Sequence, residues 1–452
     1  MRVAVVLQAA YAGGIVRFTK SLIDGMLAAD PEVEIGFFVD ARLASLERLE
    51  EHFQDGRVTL FLLSDPRVAA GARGSEQPMK MEDQKSVLWR AVRDLLKKWP
   101  ALRRLAQFTY TGARAAARGE HSWQLFSMPP EAISALSDYD VVYLALPLWC
   151  RPFECDRAMA GTFHDLNYVH FPLNFSKRQI SIWKHDYGFW TGRVERVIAS
   201  TKFIEGEILE YYPQAKGNTR VVYLAPYGYR SVSAEATSRA LEKFGLARGG
   251  YVVYPCNLAK HKNVLGFVLA AAELKRTMGE ASPRFVLTGI GTDALNDAEP
   301  NEYAGYLLDS MRSSDLVLGE DILSLGYVSD EEVDALIVSA ALVVSTSLYE
   351  AGCGPAMDAW QTGVPVAMSR IAPFVEQLDI LGVEALVFDP ENPTDIAAKI
   401  LWALEHPVEM RAMAQRSQES MASFSYEDVG RNYLAVFREA IEVREEKMAN
   451  RR

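Results

Sequence analysis

The chain has 452 residues, 49% of them apolar and 24% charged, with a formal net charge of −11. That length exceeds what one hydrophobic core supports, so two or three domains are expected, and the ordinary apolar and charged content excludes a disordered chain. An acidic total excludes non-specific nucleic-acid binding, which draws its affinity from a basic face.

Met1-Arg2 leads directly into Val3-Ala4-Val5-Val6-Leu7. The run is too short to cross a membrane and no cleavage site follows, so it reads as a buried first strand and a cytoplasmic location is expected. Gly13 and Gly14 then open a helix through Phe18, Leu22 and Leu27. Glu34 to Val39, Val58 to Leu63, Val141 to Leu146 and Arg196 to Ser200 continue a series of short strands separated by helical periodicity. Strands apolar on both faces, alternating with helices, predict a parallel sheet covered on both sides.

Lys85 to Arg118 breaks this rhythm. Arg90, Arg93, Lys97, Lys98, Arg103, Arg104 and Arg114 face a single acid, Asp94, with Trp89, Trp99 and several leucines interleaved at helical spacing. A basic amphipathic helix of this kind can lie on an anionic membrane, here the inner face. A helical insertion packed on its own domain through Trp89 and Trp99 explains the same pattern, and is the preferred reading.

After Pro226-Tyr227-Gly228 the series restarts. Tyr251 to Tyr254, Arg284 to Gly289, Ala341 to Ser345, Val364 to Ala367 and Ala385 to Phe388 read as strands, with a helix from about Asn263 to Arg276. Two such series predict two doubly wound domains with a ligand cleft at the carboxyl ends of their strands. The expected boundaries are 1–228 for the N-terminal domain with an insertion at about 67–125, 229–425 for the C-terminal domain, and 426–452 for a helix packing back on the first domain.

Four motifs carry candidate chemistry. Gly13-Gly14-Ile15-Val16-Arg17 places a permissive backbone and a helix N-terminus where an anion can approach. His164-Asp165-Leu166, followed by His170-Phe171-Pro172, stands after a short strand and offers groups that hydrogen-bond sugar hydroxyls, with His170 read as structural. Asn257 and Lys260-His261-Lys262-Asn263 follow the second series' first strand; Lys262 could stabilise a leaving diphosphate, although composition alone favours a solvated turn. Glu350-Ala351-Gly352-Cys353-Gly354-Pro355 runs from a strand end into a helix carrying Asp358, so two acids can reach two hydroxyl pairs of one ligand. The cysteines Cys150, Cys155, Cys256 and Cys353 form no Cys-x-x-Cys pair and no zinc spacing, so reduced thiols and no bound metal are expected.

In order and spacing these motifs resemble those of the retaining glycosyltransferases of family four, which have the GT-B fold: two Rossmann-like domains facing a cleft. The fourth is similar to that family's Glu-x7-Glu signature, and the His-Asp-Leu and His-Lys-Asn motifs to a branch rich in mannosyl- and other hexosyltransferases. The resemblance implies that Glu350 binds the donor sugar, that the Gly352, Cys353, Gly354 and Pro355 turn orients it, and that Asp358 takes the ribose hydroxyls. It implies that Lys262 neutralises the diphosphate near Gly13 and Gly14, and that His164, with Asp165 beside it, meets the sugar. Asn257, Gly289, Tyr327 and Val328 would lie by the nucleotide. The donor would be a nucleotide diphosphate sugar, the acceptor a glycan, a lipid-linked sugar or a small molecule, with no cofactor and no metal.

Two departures stand out. Asp358 replaces the usual Glu, and Cys256 stands where the family commonly has an arginine, leaving phosphate charge to Lys262 with Lys260 or Arg17. A catalytically weak or inactive nucleotide-sugar-binding relative is therefore a second reading. A nicotinamide oxidoreductase is a remote third, because Asp40 ends the second strand but no Gly-x-Gly-x-x-Gly precedes it.

Overall fold

Two parallel sheets divide the chain in a computed structural model that describes residues 1–8, 13–63, 127–226 and 232–450. The first sheet holds β1 (Arg2–Leu7), β2 (Glu34–Asp40), β3 (Val58–Leu63), β4 (Val141–Leu144), β5 (Ala158–Thr162), β6 (Arg196–Ala199) and β7 (Thr219–Val221), in the order β3-β2-β1-β4-β5-β6-β7. The second holds β8 (Tyr251–Pro255), β9 (Arg284–Thr288), β10 (Ile322–Ser324), β11 (Leu342–Ser345), β12 (Val366–Ser369) and β13 (Leu386–Phe388), in the order β10-β9-β8-β11-β12-β13. Adjacent strands pair in parallel throughout.

In each sheet the strand order reverses beside its first strand, at β1/β4 and at β8/β11. Helices leave opposite faces there and the carboxyl ends splay, which opens a crevice for a ligand. β4, β5 and β6 are buried along their whole length, which is why they are apolar apart from Thr162 at the end of β5 and Arg196 at the start of β6. β7 and β10 have only three residues each, and β7 is half-buried along its length, too short a run to give a pattern.

Gly13 enters the first helix, Gly14–Ala29, at φ 153°, a backbone that side chains avoid. Val16, Phe18, Leu22, Ile23 and Met26 then recur at helical spacing and are buried against the first sheet. The same core takes up Val429, Tyr433, Leu434 and Phe437 from the last helix, Tyr426–Ala449. Tyr433 and Thr162 share a hydroxyl hydrogen bond of 3.0 Å, and Glu439 accepts from Arg196 and Arg220 at 2.9 and 2.8 Å. The two helices cross at glycines: a Cβ on Gly430 would lie 2.3 Å from the carbonyl carbon of Gly25.

The sequence boundary at 228/229, the insertion at about 67–125 and the basic stretch 85–118 lie outside the described residues. No helix among the described residues is long and apolar enough to cross a membrane. All four cysteines are free and buried.

Candidate active site

The carboxyl ends of both sheets face one cleft, which widens into two lobes of about 560 and 510 Å³ that share Gly13, Gly14, Tyr327, Gly352 and Gly354. His164, Asp165, Lys262 and Glu350 line the larger lobe, Arg17 and Asp358 the smaller.

Lys262 reaches the larger lobe from a turn fixed on three sides. The Lys260–Lys262 turn follows β8, and Asn263 adopts a left-handed φ of 50°. Its Oδ1 accepts from Gly266 N at 3.1 Å, capping the helix Val264–Met278, and its Nδ2 donates to the Pro390 carbonyl at 2.8 Å. The Tyr254 hydroxyl donates to the Lys262 carbonyl at 2.8 Å. The turn is therefore not the solvated one that composition favours: only Lys260 is exposed, His261 is buried and the Lys262 side chain is 20% exposed.

The Lys262 ammonium donates to Glu350 Oε1, which also accepts from Ser347 Oγ at 2.8 Å. Burial works against the Lys262 charge, but the carboxylate beside it outweighs burial and raises its pKa, so Lys262 is a cation at neutral pH. Beyond Glu350 the backbone turns through Gly352 into the helix Gly354–Gln361, with Pro355 in its first turn. Cys353 N–H is occupied by Gln377 Oε1 at 2.9 Å, and the Cys353 side chain is buried in the second domain's core. Burial pushes both the Cys256 and Cys353 thiols up to about 12, so position 256 holds a neutral group.

The opposing wall follows β5. His164 Nε2 hydrogen-bonds the Ala145 carbonyl at 2.9 Å, and Phe18 meets the ring edge-on at 5.0 Å. Burial pushes this imidazole down to about 4, so it is neutral, carries its proton on Nε2 toward the carbonyl, and keeps Nδ1 as an acceptor. Asp165 Oδ1 accepts from Asn167 N at 2.9 Å, and burial raises its pKa.

At the smaller lobe, Arg17 grips Asp358 in a two-pronged ion pair, Nη1 to Oδ2 at 2.8 Å and Nη2 to Oδ1 at 3.0 Å. The carboxylate is 8% exposed and the guanidinium 30%. Gly289 lines the larger lobe at φ 137°, and a Cβ there would sit 2.2 Å from the Cys256 carbonyl oxygen, so close backbone approach requires glycine. Asn257 is exposed in the same lobe, and Tyr327, 56% exposed, faces both lobes. Val328 does not join them: its side chain is buried in the second domain's core.

Sequence reasoning missed the residues that join the domains. Tyr349 belongs to the second domain's acid loop, yet its ring is buried in the first domain's core. Its hydroxyl accepts from Leu166 N at 2.8 Å and donates to Glu207 Oε2 at 2.6 Å, while Glu207 also pairs with His170. Asn167 Nδ2 approaches His261 Nδ1 at 3.2 Å. Glu376 accepts from Lys202 N at 2.6 Å and Phe203 N at 3.0 Å, capping a first-domain helix from the second domain. Nothing in local sequence marks contacts between positions so far apart. Among the described residues, no group of three or more His, Cys, Asp or Glu could hold a metal ion.

Residues 241–420 match the family model described as "Glycosyl transferases group 1". The chain is 27% identical to the O-antigen chain mannosyltransferase B of Escherichia coli over 304 residues, 65% of this chain and 73% of that protein. It is 30% identical to the MMP alpha-(1->4)-mannosyltransferase of Mycolicibacterium hassiacum over 144 residues, 32% of this chain and 34% of that one. Among solved structures, Anabaena Alr3699/HepE in complex with UDP and glucose superposes with a TM-score of 0.61 at 15% identity, covering 96% of this chain and 98% of that one. WaaG, a glycosyltransferase involved in lipopolysaccharide biosynthesis, gives 0.59 at 12% identity over 96% and 99%. The chain has the GT-B fold, with two Rossmann-like domains, and these matches together support a glycosyltransferase of the GT-B type.

Proposed function

We propose that this chain is a retaining, metal-independent hexosyltransferase that moves mannose or a similar hexose from a nucleotide diphosphate sugar to a glycan, lipid-linked or small-molecule acceptor. The observation that carries the reading is the meeting of Lys262 with Glu350 at the second domain's switch point, in one lobe with His164 and Asp165 of the first. Both relatives reported above are mannosyltransferases by name, which favours mannose.

In this reading the diphosphate lies between Lys262 and the Gly13-Gly14 helix start, where a cation and free N–H groups stabilise the charge that grows as it leaves. Glu350 and the backbone of Gly352 and Gly354 hold the sugar hydroxyls, and His164 Nδ1 accepts from the sugar on the other wall. The bond between the anomeric carbon and the phosphate oxygen breaks as the acceptor oxygen attacks from the same face. The acceptor's proton passes to the departing phosphate oxygen, so positioning and electrostatics supply the catalysis and no covalent enzyme intermediate forms.

The test is a panel of UDP-, GDP- and ADP-linked hexoses offered with mono- and oligosaccharide and lipid-linked acceptors, the product's anomeric configuration being read by NMR. An α-linked product from an α-linked donor is expected; an inverted product removes the retaining assignment. A protein that binds one of these donors but transfers from none would instead be the non-catalytic relative, a reading that the neutral thiol at Cys256 favours.

A further inference from the structure

Both oxygens of Asp358 are taken by Arg17, across the domain boundary. On the proposed function this carboxylate seats the donor's ribose, and in this structure Arg17 fills that seat. Arg17 lies one helical turn beyond Gly13 and Gly14, where the diphosphate would lie, on a long side chain that is partly exposed. Its planar fork fits a phosphate as well as it fits a carboxylate.

The charges around it explain why Arg17 would move. Cys256 supplies no charge, and Lys262 is already matched by Glu350. Among the described residues of the smaller lobe, Lys20 is itself paired with Glu47 at 3.7 Å, and His52 Nε2 meets Asp24 Oδ2 at 2.9 Å. Asp330 and Asp334 add negative charge to the same lobe. Among the described residues lining this lobe carboxylates outnumber cations, and Arg17 is a group that an entering diphosphate can draw toward itself by releasing a partner that the ribose then takes.

We propose that Arg17 keeps the ribose seat of Asp358 closed in the free protein and is pulled off it by the donor's diphosphate, so that the seat opens only to ligands that carry both groups. This rests on the donor reading above and goes beyond it. The exchange conserves partners: Asp358 trades a guanidinium for two ribose hydroxyls, and Arg17 trades a carboxylate for phosphate oxygens. A nucleoside without phosphates must displace Arg17 while bringing no phosphate to receive it. Selectivity for the diphosphate thus arises from differential binding to two arrangements of one side chain.

The experiment first identifies which of UDP, GDP and ADP binds the wild-type chain by isothermal titration. That diphosphate and its parent nucleoside are then titrated, the weak nucleoside by saturation-transfer NMR, against wild type, Arg17→Ala and the closer-shaped Arg17→Gln. In both variants nucleoside affinity should rise about tenfold, equivalent to about 1.4 kcal/mol, while diphosphate affinity falls by a similar factor. Nucleoside affinity that is unchanged or lower in both folded variants overturns the exchange while leaving the donor reading intact. Failure of all three diphosphates to bind wild type removes the donor reading itself, and the exchange with it.

Discussion

Two ion pairs of the cleft, Lys262 with Glu350 and Arg17 with Asp358, differ in one respect that governs the rest. Lys262 and Glu350 both belong to the second domain, so their separation is set by one rigid sheet and survives any change in how the domains meet. Arg17 and Asp358 come from different domains, 341 residues apart in sequence, so theirs is a contact that domain movement or a ligand can break. On the proposed function, chemistry sits where geometry is built in and recognition where it can change. Relative domain motion is the ordinary expectation for an interface of this kind.

The sharpest way to break this contrast is Lys262→Ala. Removing a preorganised electrostatic contact to a leaving group costs on the order of a hundredfold in turnover, with little effect on folding. Near-normal kcat in a folded variant would mean that this pair is structural. Next come the acids. Glu350→Gln should weaken donor sugar binding while leaving free nucleotide diphosphate nearly as tight, whereas Asp358→Asn should weaken the nucleotide itself. Asp358→Asn should also loosen the domain contact, visible as a larger radius of gyration in solution scattering, and Glu350→Gln should not. Identical titrations for the two variants would mean that the lobes do not divide the donor as proposed.

Tyr349→Phe tests the tie between the halves. It leaves the Leu166 N–H and the Glu207 carboxylate without their buried partner, a loss of about 1–3 kcal/mol in stability. Because Glu350 is the next residue, kcat should fall while the nucleotide's Kd holds; a drop in Tm with unchanged kcat would show a purely structural anchor.

A smaller effect concerns acid. Burial, with the Lys262 charge helping, pushes His261 down to about 4, while an unfolded histidine titrates near its ordinary value. Between the two the unfolded chain binds the extra proton, so stability present above about pH 6.5 is lost as pH falls toward 4. Asp165 and Asp358, raised by burial, act in the opposite direction, so the informative quantity is a difference. Thermal melts from pH 7.5 to 5 should fall more steeply for wild type than for His261→Asn; parallel curves contradict the assignment. Finally, exhaustive EDTA treatment should leave turnover unchanged. Loss restored by manganese or magnesium would overturn the metal-independent mechanism.

What the sequence made legible follows from how local each signal is. β1, β4 and β8 announce themselves because apolar residues in an unbroken run have one cheap solution, a strand buried on both faces. The loop from Glu350 to Asp358 was legible as a strand-to-helix bend because Gly352, Gly354 and Pro355 are backbone instructions. Cys353 and Val328 sit in the right loops, but their side chains turn into the core, a choice made by neighbours from other strands. Arg17 with Asp358 and Tyr349 with Glu207 were illegible for the same reason: each is a meeting of distant segments, and neither segment carries the other's address.

The close crossing of the last helix over the first, at Gly25 and Gly430, has a consequence for how the molecule is made. Val429, Tyr433 and Phe437 complete a core that begins at Val3, so the first domain starts to emerge before the second yet is completed after it. All the second sheet's strands are synthesised by Phe388, before the sequence of that closing helix exists. The first domain's core can therefore be completed only after the second sheet has been synthesised, against the usual amino-to-carboxyl order of domain folding during translation. Until the closing helix arrives, Phe18 and Tyr143 lack the aromatic partners Tyr433 and Phe437 that cover them in the finished protein. For that interval the nascent chain carries an apolar face of the kind that chaperones shield.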